Sequence, residues 1–170
     1  MMTEDVWSLM MSTYLYERRR CRKQFEEICQ KTFYQMQELR NSDGKLRGFI
    51  GYWEIKNWIA IEHIAVQPNE NFREVITTLL KKLKTSYIDD FTIIKEIDIL
   101  SNSSDVQEKE IFSNAGFFEN PFVYIQPSFH KECANFPQRI MSYPTQISYV
   151  QFKELRNLLY RYVYGKMKRY

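Results

Sequence analysis

Histidine is nearly absent from this 170-residue chain, which has only His63 and His130, and cysteine is scarce at three residues. Cys21, Cys29 and Cys133 form no Cys-x-x-Cys pair. An odd count without paired spacing argues against a disulfide framework, and so few soft ligands argue against a structural zinc site. Reduced thiols packed as small apolar residues are expected, with no metal. Glycine and proline number five each and fall mainly at turns, which leaves no linker and one domain over residues 1–170. No long uncharged apolar run is present, so no membrane span is expected. Met1-Met2-Thr3-Glu4-Asp5 lacks the basic and apolar regions of a secretory signal, and the expected location is cytoplasmic. A net charge of +3 is too small to imply nucleic acid or membrane as a partner.

Apolar residues make up 44% of the chain and aromatics 16%, enough for one sizeable core. Thr3 is placed to cap a first helix containing Val6, Leu9, Met10, Thr13 and Tyr14. Cys21, Phe25, Ile28 and Cys29 give the apolar face of a second, from about Glu17 to Lys31. Strands follow at Phe33–Leu39, Leu46–Ile55 and Trp58–Val66, joined by the Asn41-Ser42-Asp43-Gly44 turn and by Lys56-Asn57. Pro68 ends the third strand. A helix then runs from Phe72 to Ile88, burying Val75, Ile76, Leu79, Leu80, Leu83 and Tyr87. The pattern continues with a strand at Ile93–Leu100 and a helix capped by Ser103 or Ser104 and closed by Gly116. Strands at Phe122–Gln126 and Arg139–Tyr143 and a final helix at Ser148–Gly165 complete it. A meander followed by a βαβ crossover predicts an α/β (α+β) fold with a mixed, mostly antiparallel sheet and helices on both faces.

The segment Ile61-Glu62-His63-Ile64-Ala65-Val66-Gln67-Pro68 resembles the strand of GNAT-superfamily acyl-CoA N-acyltransferases that ends in a Val-x-Pro step. Val75, Leu79 and Leu80 fall where that family's next helix has apolar residues. Ala115-Gly116-Phe117 is similar to its later Gly-Phe step, and Glu17-Arg18-Arg19, Asn120-Pro121, Gln126-Pro127 and Met141-Ser142-Tyr143-Pro144 resemble a bacterial subgroup. The resemblance implies acetyl-CoA or another acyl-CoA as co-substrate and an amine acceptor, in a monomer or homodimer. It implies a pantetheine arm paired with the backbone of Ile64, Ala65 and Val66, and a pyrophosphate on the helix start at Asn71, Arg73, Glu74, Val75 and Ile76.

Two departures weigh against full activity. Phe72, Glu74 and Ile76 stand where the family has glycine or alanine, which lets backbone approach phosphate. Asn71 and Glu74 also have capping-box spacing, which would put the Glu74 carboxylate on the helix terminus that phosphate would use. Where the family often has a general-acid tyrosine, four residues before Gly-Phe, the chain has Phe112. Tyr124 is the substitute candidate.

Glu62 is the candidate general base. On a regular strand it shares a face with Trp58, Ala60, Ile64 and Val66, so desolvation would raise its pKa. The alternative is that it pairs with a nearby cation or lines the cleft without catalysis. His63 would then point to the opposite face as a packed histidine. The run Arg18-Arg19-Arg20 with Arg22-Lys23 is expected to be a solvated helix face, with RNA phosphate a lesser alternative and an acidic acceptor another. Ser128–Gln138 is long for a connection and would wall the acceptor pocket. The rival to an enzyme is a non-catalytic module of the same fold.

Overall fold

The computed structural model describes residues 2–87, 91–99 and 103–165, with side chains in the fourth helix from Val106 onward. Ile88, Leu100 and the candidate caps Ser103 and Ser104 therefore lie outside the described residues or side chains.

Among the described residues there are five α-helices: α1 Glu4–Thr13, α2 Arg22–Cys29, α3 Phe72–Ser86, α4 Ser103–Asn114 and α5 Tyr149–Leu158, the last followed by a π-helical turn at Leu159–Val163. The strands are β1 Tyr34–Arg40, β2 Leu46–Ile55, β3 Trp58–Val66, β4 Thr92–Asp98, β5 Phe118–Glu119, β6 Tyr124–Gln126 and β7 Phe136–Tyr143. They form one sheet in the order β1-β2-β3-β4-β7-β5, with β6 also paired to β7. Among the described strands, β3 and β4 are the one parallel pair. This is the mixed, mostly antiparallel sheet that the pattern predicts.

Strand alternation divides the core between the two sheet faces. On one, Trp53, Trp58, Ala60 and Ala65 pack with Val6 and Trp7 of α1, Phe25 of α2, and Phe152 and Leu155 of α5. On the other, Ile59, Ile61 and Ile64 pack with Val75, Ile76, Leu79 and Leu80 of α3 and with Phe112 of α4. The expected α3 stripe from Val75 to Leu83 is therefore core, while Tyr87 is the half-buried C-cap residue beyond the helix. The close approach of α3 needs Gly48 on β2, where an added Cβ would lie 2.7 Å from both Ala65 O and Val75 Cγ1. Gly116 closes α4 at φ 87°, with Phe117 N–H donating back to Phe112 O at 3.0 Å.

Three local departures matter. Thr3 occupies the N-cap position, but its side chain makes no capping bond and its hydroxyl donates to Asp5 at 2.5 Å. Tyr14 does not continue α1. It leaves the helix in extended backbone, φ −113° and ψ 134°. The expected helix from Glu17 is a short 3-10 turn, Tyr16–Arg18, and α2 begins only at Arg22, after Cys21 in extended backbone. Cys21 is thus a cap residue rather than part of the apolar face, and the extended stretch carries Arg20 inward.

Candidate functional site

β3 carries a β-bulge. Gly51 pairs with His63 and Tyr52 with Ile61, so Glu62 is the extra residue. The bulge corrects the alternation read from a regular strand. Glu62 bonds Arg20 and Trp53, while His63 stands edge-on to Tyr14 and Phe25. Both therefore occupy the face of Trp58 and Ala60, whereas Ile64 and Val66 lie on the α3 face. His63 is not on the opposite face from Glu62.

The bulge coincides with a divergence of the sheet. The β3–β4 ladder runs from Trp58↔Thr92 to Ile61↔Lys95 and stops, while β4 stays paired to β7 through Asp98. Residues 62–66 of β3 consequently border a gap. Ile64 turns its backbone into that gap, and strand alternation turns Val66 the same way and Ala65 toward β2.

The Tyr14 hydroxyl fills the edge at Ile64. It accepts from Ile64 N–H at 2.9 Å and donates to Ile64 O at 2.7 Å. Burial is the main cause of the rise in its pKa to about 12, although nearby Lys95 opposes it. Lys95 faces Glu108 of α4 at 3.5 Å. Burial alone would lower its pKa, but Glu108, Tyr14 and Glu96 together hold the ammonium above its ordinary value.

Glu62 is not a free carboxylate. Oε1 accepts from Arg20 Nε at 2.8 Å and Oε2 from Trp53 Nε1 at 2.6 Å, with only 4% of the side chain exposed. Arg20 also donates to Val163 O at 2.7 Å and lies 4.4 Å from the Phe129 ring centroid. Of the two readings of Glu62, the geometry supplies the cation partner. Arg18 likewise turns inward to Asp98 at 2.8 Å, and Arg19 donates to Tyr14 O. Arg18, Arg19 and Arg20 are therefore not a solvated helix face, because the chain there is a short turn followed by extended backbone, whereas Arg22 and Lys23 are exposed on α2 as expected.

His63 is fully buried and both ring nitrogens lack a hydrogen-bond partner among the described residues, with Nδ1 3.9 Å from Glu62 Oε2. Burial pushes its pKa down to about 4, so the ring is neutral.

Two residues that the sequence reading passed over complete this face. Glu96 is the first β4 residue beyond the end of the β3–β4 ladder. Its Oε2 accepts from Tyr164 Oη at 2.6 Å, and its buried Oε1 has no partner among the described residues. Burial raises its pKa to about 7, against the opposing effects of the Tyr164 bond and Lys95. The available signal was charge at Lys95, Glu96 and Asp98 in an otherwise apolar strand.

Tyr124 lies on β6, separated from β3 by β7 and β4. It pairs with Gln138, which pairs with Asp98, beyond the point where the β3–β4 ladder stops. Its buried hydroxyl has no partner among the described residues, and its ring packs against Phe152 and Tyr160. Phe112 is core, 4.9 Å from Phe117 between ring centroids.

At the start of α3, Asn71 Oδ1 accepts from Glu74 N–H at 3.1 Å, so half of the expected capping box is present. The Glu74 carboxylate does not return to the helix terminus. It pairs with Arg47 at 2.9 Å, and Arg47 also holds Glu70 at 2.7 Å. Arg73 pairs with Glu110 at 3.1 Å. Val75 N–H already donates to Asn71 O, and Val75 and Ile76 are fully buried. The helix start is thus ringed by three carboxylates and two guanidiniums.

The Ser128–Gln138 loop packs on the segment after α1. His130 Nε2 meets Tyr16 O at 3.1 Å and Arg19 O at 2.9 Å, while Gln24 donates to Phe129 O. A surface groove of about 380 Å³ beside Asp5, Asn41, Lys45 and Glu70 includes none of the residues at the gap. Among the described residues, no cluster of His, Cys, Asp and Glu could hold a metal, and no helix is long and apolar enough to cross a membrane.

No protein-family model matches the chain, and no curated protein matches it by sequence. Solved structures do match. A Bacteroides thetaiotaomicron protein named as an acetyltransferase of the GNAT family superposes with a TM-score of 0.84 at 18% identity, covering 95% of this chain and 91% of that one. The ribosomal-protein-S18-alanine N-acetyltransferase from Escherichia coli gives 0.59 at 18% identity, covering 83% and 87%. A chimera of the Vibrio cholerae spermidine N-acetyltransferase gives 0.58 at 14%, covering 80% and 87%. At these identities the likeness concerns the fold, and the chain has the GNAT fold.

Proposed function

We propose that this GNAT-fold chain transfers an acyl group, acetyl in the simplest case, from a CoA thioester to an amine. The observation that carries the reading is the gap past Ile61 and Lys95. There the backbone of Ile64 and Val66 offers a strand edge on which the two amides of a pantetheine arm can pair. An N–H on this edge would polarise the thioester carbonyl. Carboxylates at Glu62 and Glu96 border the same region, in keeping with a reaction that must strip a proton from an ammonium. The thiolate is a good leaving group, so transfer does not require a tyrosine acid at Tyr124. The fold neighbours named above act on the S18 alanine and on spermidine, which supports an amine as the acceptor class and leaves its identity to this chain's own residues.

Of the phosphate-binding candidates, Asn71 is engaged as the cap, while Val75 and Ile76 serve the core. Pyrophosphate would rely on the Phe72 and Arg73 N–H groups and on Arg73 and Arg47, each of which would have to loosen its glutamate.

A second reading, a non-catalytic binding module, is favoured by two specific contacts: the Tyr14 hydroxyl already on Ile64 and the carboxylates at the α3 start. Calorimetry with acetyl-CoA separates the two. Binding in the micromolar to low millimolar range, with thiol release when a primary amine is added, supports the enzyme. No heat at millimolar ligand leaves the module.

A further inference from the structure

We infer that Glu96, rather than Glu62, is the residue that takes the proton from the acceptor, and that the acceptor enters as a primary ammonium ion. The inference rests on the acyl-transfer reading.

Charge matching at the gap is the first argument. Asp98 is held by Arg18 at 2.8 Å and also accepts from Gln138. Glu62 is held by Arg20 at 2.8 Å and by Trp53. Each of these carboxylates has its own guanidinium and a second donor. Glu96 has one donor, the Tyr164 hydroxyl, and one buried oxygen with no partner among the described residues. The nearest cation on its strand, Lys95, pairs with Glu108 of α4. The acid without a cation is Glu96, and an alkylammonium supplies one.

Position is the second argument. Glu96 directly follows Lys95, the last β4 residue paired to β3. It lies at the apex where the strands part, and its partner Tyr164 belongs to the face that also carries Glu62 and Arg20. The edge offered by Ile64 borders the same gap. A base there can reach an amine that approaches a thioester on β3, whereas Glu62 would first have to release Arg20 and Trp53.

The electrostatic surroundings agree. The groups that act on Glu96 are Lys95 and Asp98 on its own strand, Glu62 on β3, and Tyr164 and Tyr160 after α5; β7 presents Ile140 opposite it. Burial dominates and brings the carboxyl to about 7, the range in which a carboxylate both exists and holds a proton usefully.

The step balances. The ammonium gives one proton to the Glu96 carboxylate, and the freed nitrogen lone pair attacks the thioester carbonyl carbon. The C–N bond forms and the C–S bond breaks with its electron pair leaving on sulfur. The second nitrogen proton goes to the thiolate, and Glu96 returns its proton to solvent.

The test uses the full chain with acetyl-CoA and n-butylamine, 1,4-diaminobutane and glycinamide, following thiol release across pH at saturating amine. Glu96→Gln should lower kcat by about 100-fold or more with acetyl-CoA affinity unchanged by calorimetry, and should abolish the acid limb near neutrality. Tyr164→Phe is the positioning control. Its bond favours the carboxylate, so its loss should move the limb to higher pH. A Glu96→Gln variant that keeps its kcat and its limb overturns the inference, as does a limb that vanishes in Glu62→Gln instead.

A second readout does not depend on turnover. The ¹³C carboxyl signal of Glu96, assigned by its loss in Glu96→Gln, should titrate near 7 in the free protein and move lower with n-butylammonium. A midpoint in the ordinary glutamate range, or no response to the amine, overturns the inference even if acetyl transfer is seen. If the signal behaves as expected but no amine is acetylated, acyl transfer itself fails and the assignment falls with it, with the cause distinguishable.

Discussion

The phenol of Tyr14 satisfies both backbone groups of Ile64, accepting from its N–H at 2.9 Å and donating to its carbonyl at 2.7 Å. Those two groups are what an added strand or a pantetheine amide would use, so ligand and phenol compete for one edge. Tyr14→Phe removes the competitor. Loss of one or two hydrogen bonds of ordinary strength should tighten acetyl-CoA binding by about tenfold. It should also speed amide exchange at Ile64 in the free protein. Equal affinity in the two proteins would show that the thioester arm lies elsewhere, and a fall in kcat would make the phenol a participant in transfer.

Arg20 and Glu62 form a buried pair whose side chains are 9% and 4% exposed. Arg20→Met would strand the Glu62 carboxylate beside Trp53, at a cost of about 3–5 kcal/mol. The double variant Arg20→Met/Glu62→Leu should recover part of that loss, because no buried charge is left unpaired, while Trp53 Nε1 and Val163 O still lose their partners. Urea unfolding of the two singles and the double measures this, and additive losses would contradict it.

The carboxylates at the start of α3 should oppose CoA phosphates. Glu70→Gln/Glu74→Gln frees Arg47 and removes two negative charges. Acetyl-CoA binding should strengthen by about tenfold at low salt, with less gain at high salt. Unchanged affinity at both salts would place the pyrophosphate away from α3.

His63 and Glu96 should bend the pH–stability curve in opposite senses. His63 titrates at about 4 in the fold against 6.5 ordinarily. Between those values only the unfolded chain holds the proton, and stability rises with pH. Glu96 titrates at about 7 against 4.5, so in that window only the folded chain holds the proton and stability falls as pH rises. Glu96→Gln removes the fall. Its stability relative to the parent should increase from pH 4.5 to 7 by up to about 3 kcal/mol, read from urea midpoints at the two pH values. Parallel curves would show that Glu96 titrates normally.

Much of the architecture was legible in the sequence because it rests on local pattern. The α3 stripe from Val75 to Leu83, the Asn41–Gly44 turn, the meander and the Gly116 cap each follow from side-chain periodicity or from a backbone preference of one residue. The gap between β3 and β4 follows from no local pattern, since strand divergence is a relation between segments far apart in sequence.

The site itself was decided by tertiary structure. One bulge residue in β3 put Glu62 and His63 on the same face, and period-two alternation gives no warning of a bulge. The extended stretch before α2 carried Arg20 to Glu62, 42 positions away. Neither partner's local sequence records the other. Glu96 looked like one more charge on a strand until the fold buried it, withheld a cation and left one oxygen unmatched. The sequence by itself determined which segments would become helices and strands and which faces would be apolar, because those follow from side chains repeating with the backbone's own period. Which carboxylate was neutralised and which was left open was settled only when residues distant along the chain were packed together in a site too dry to screen them.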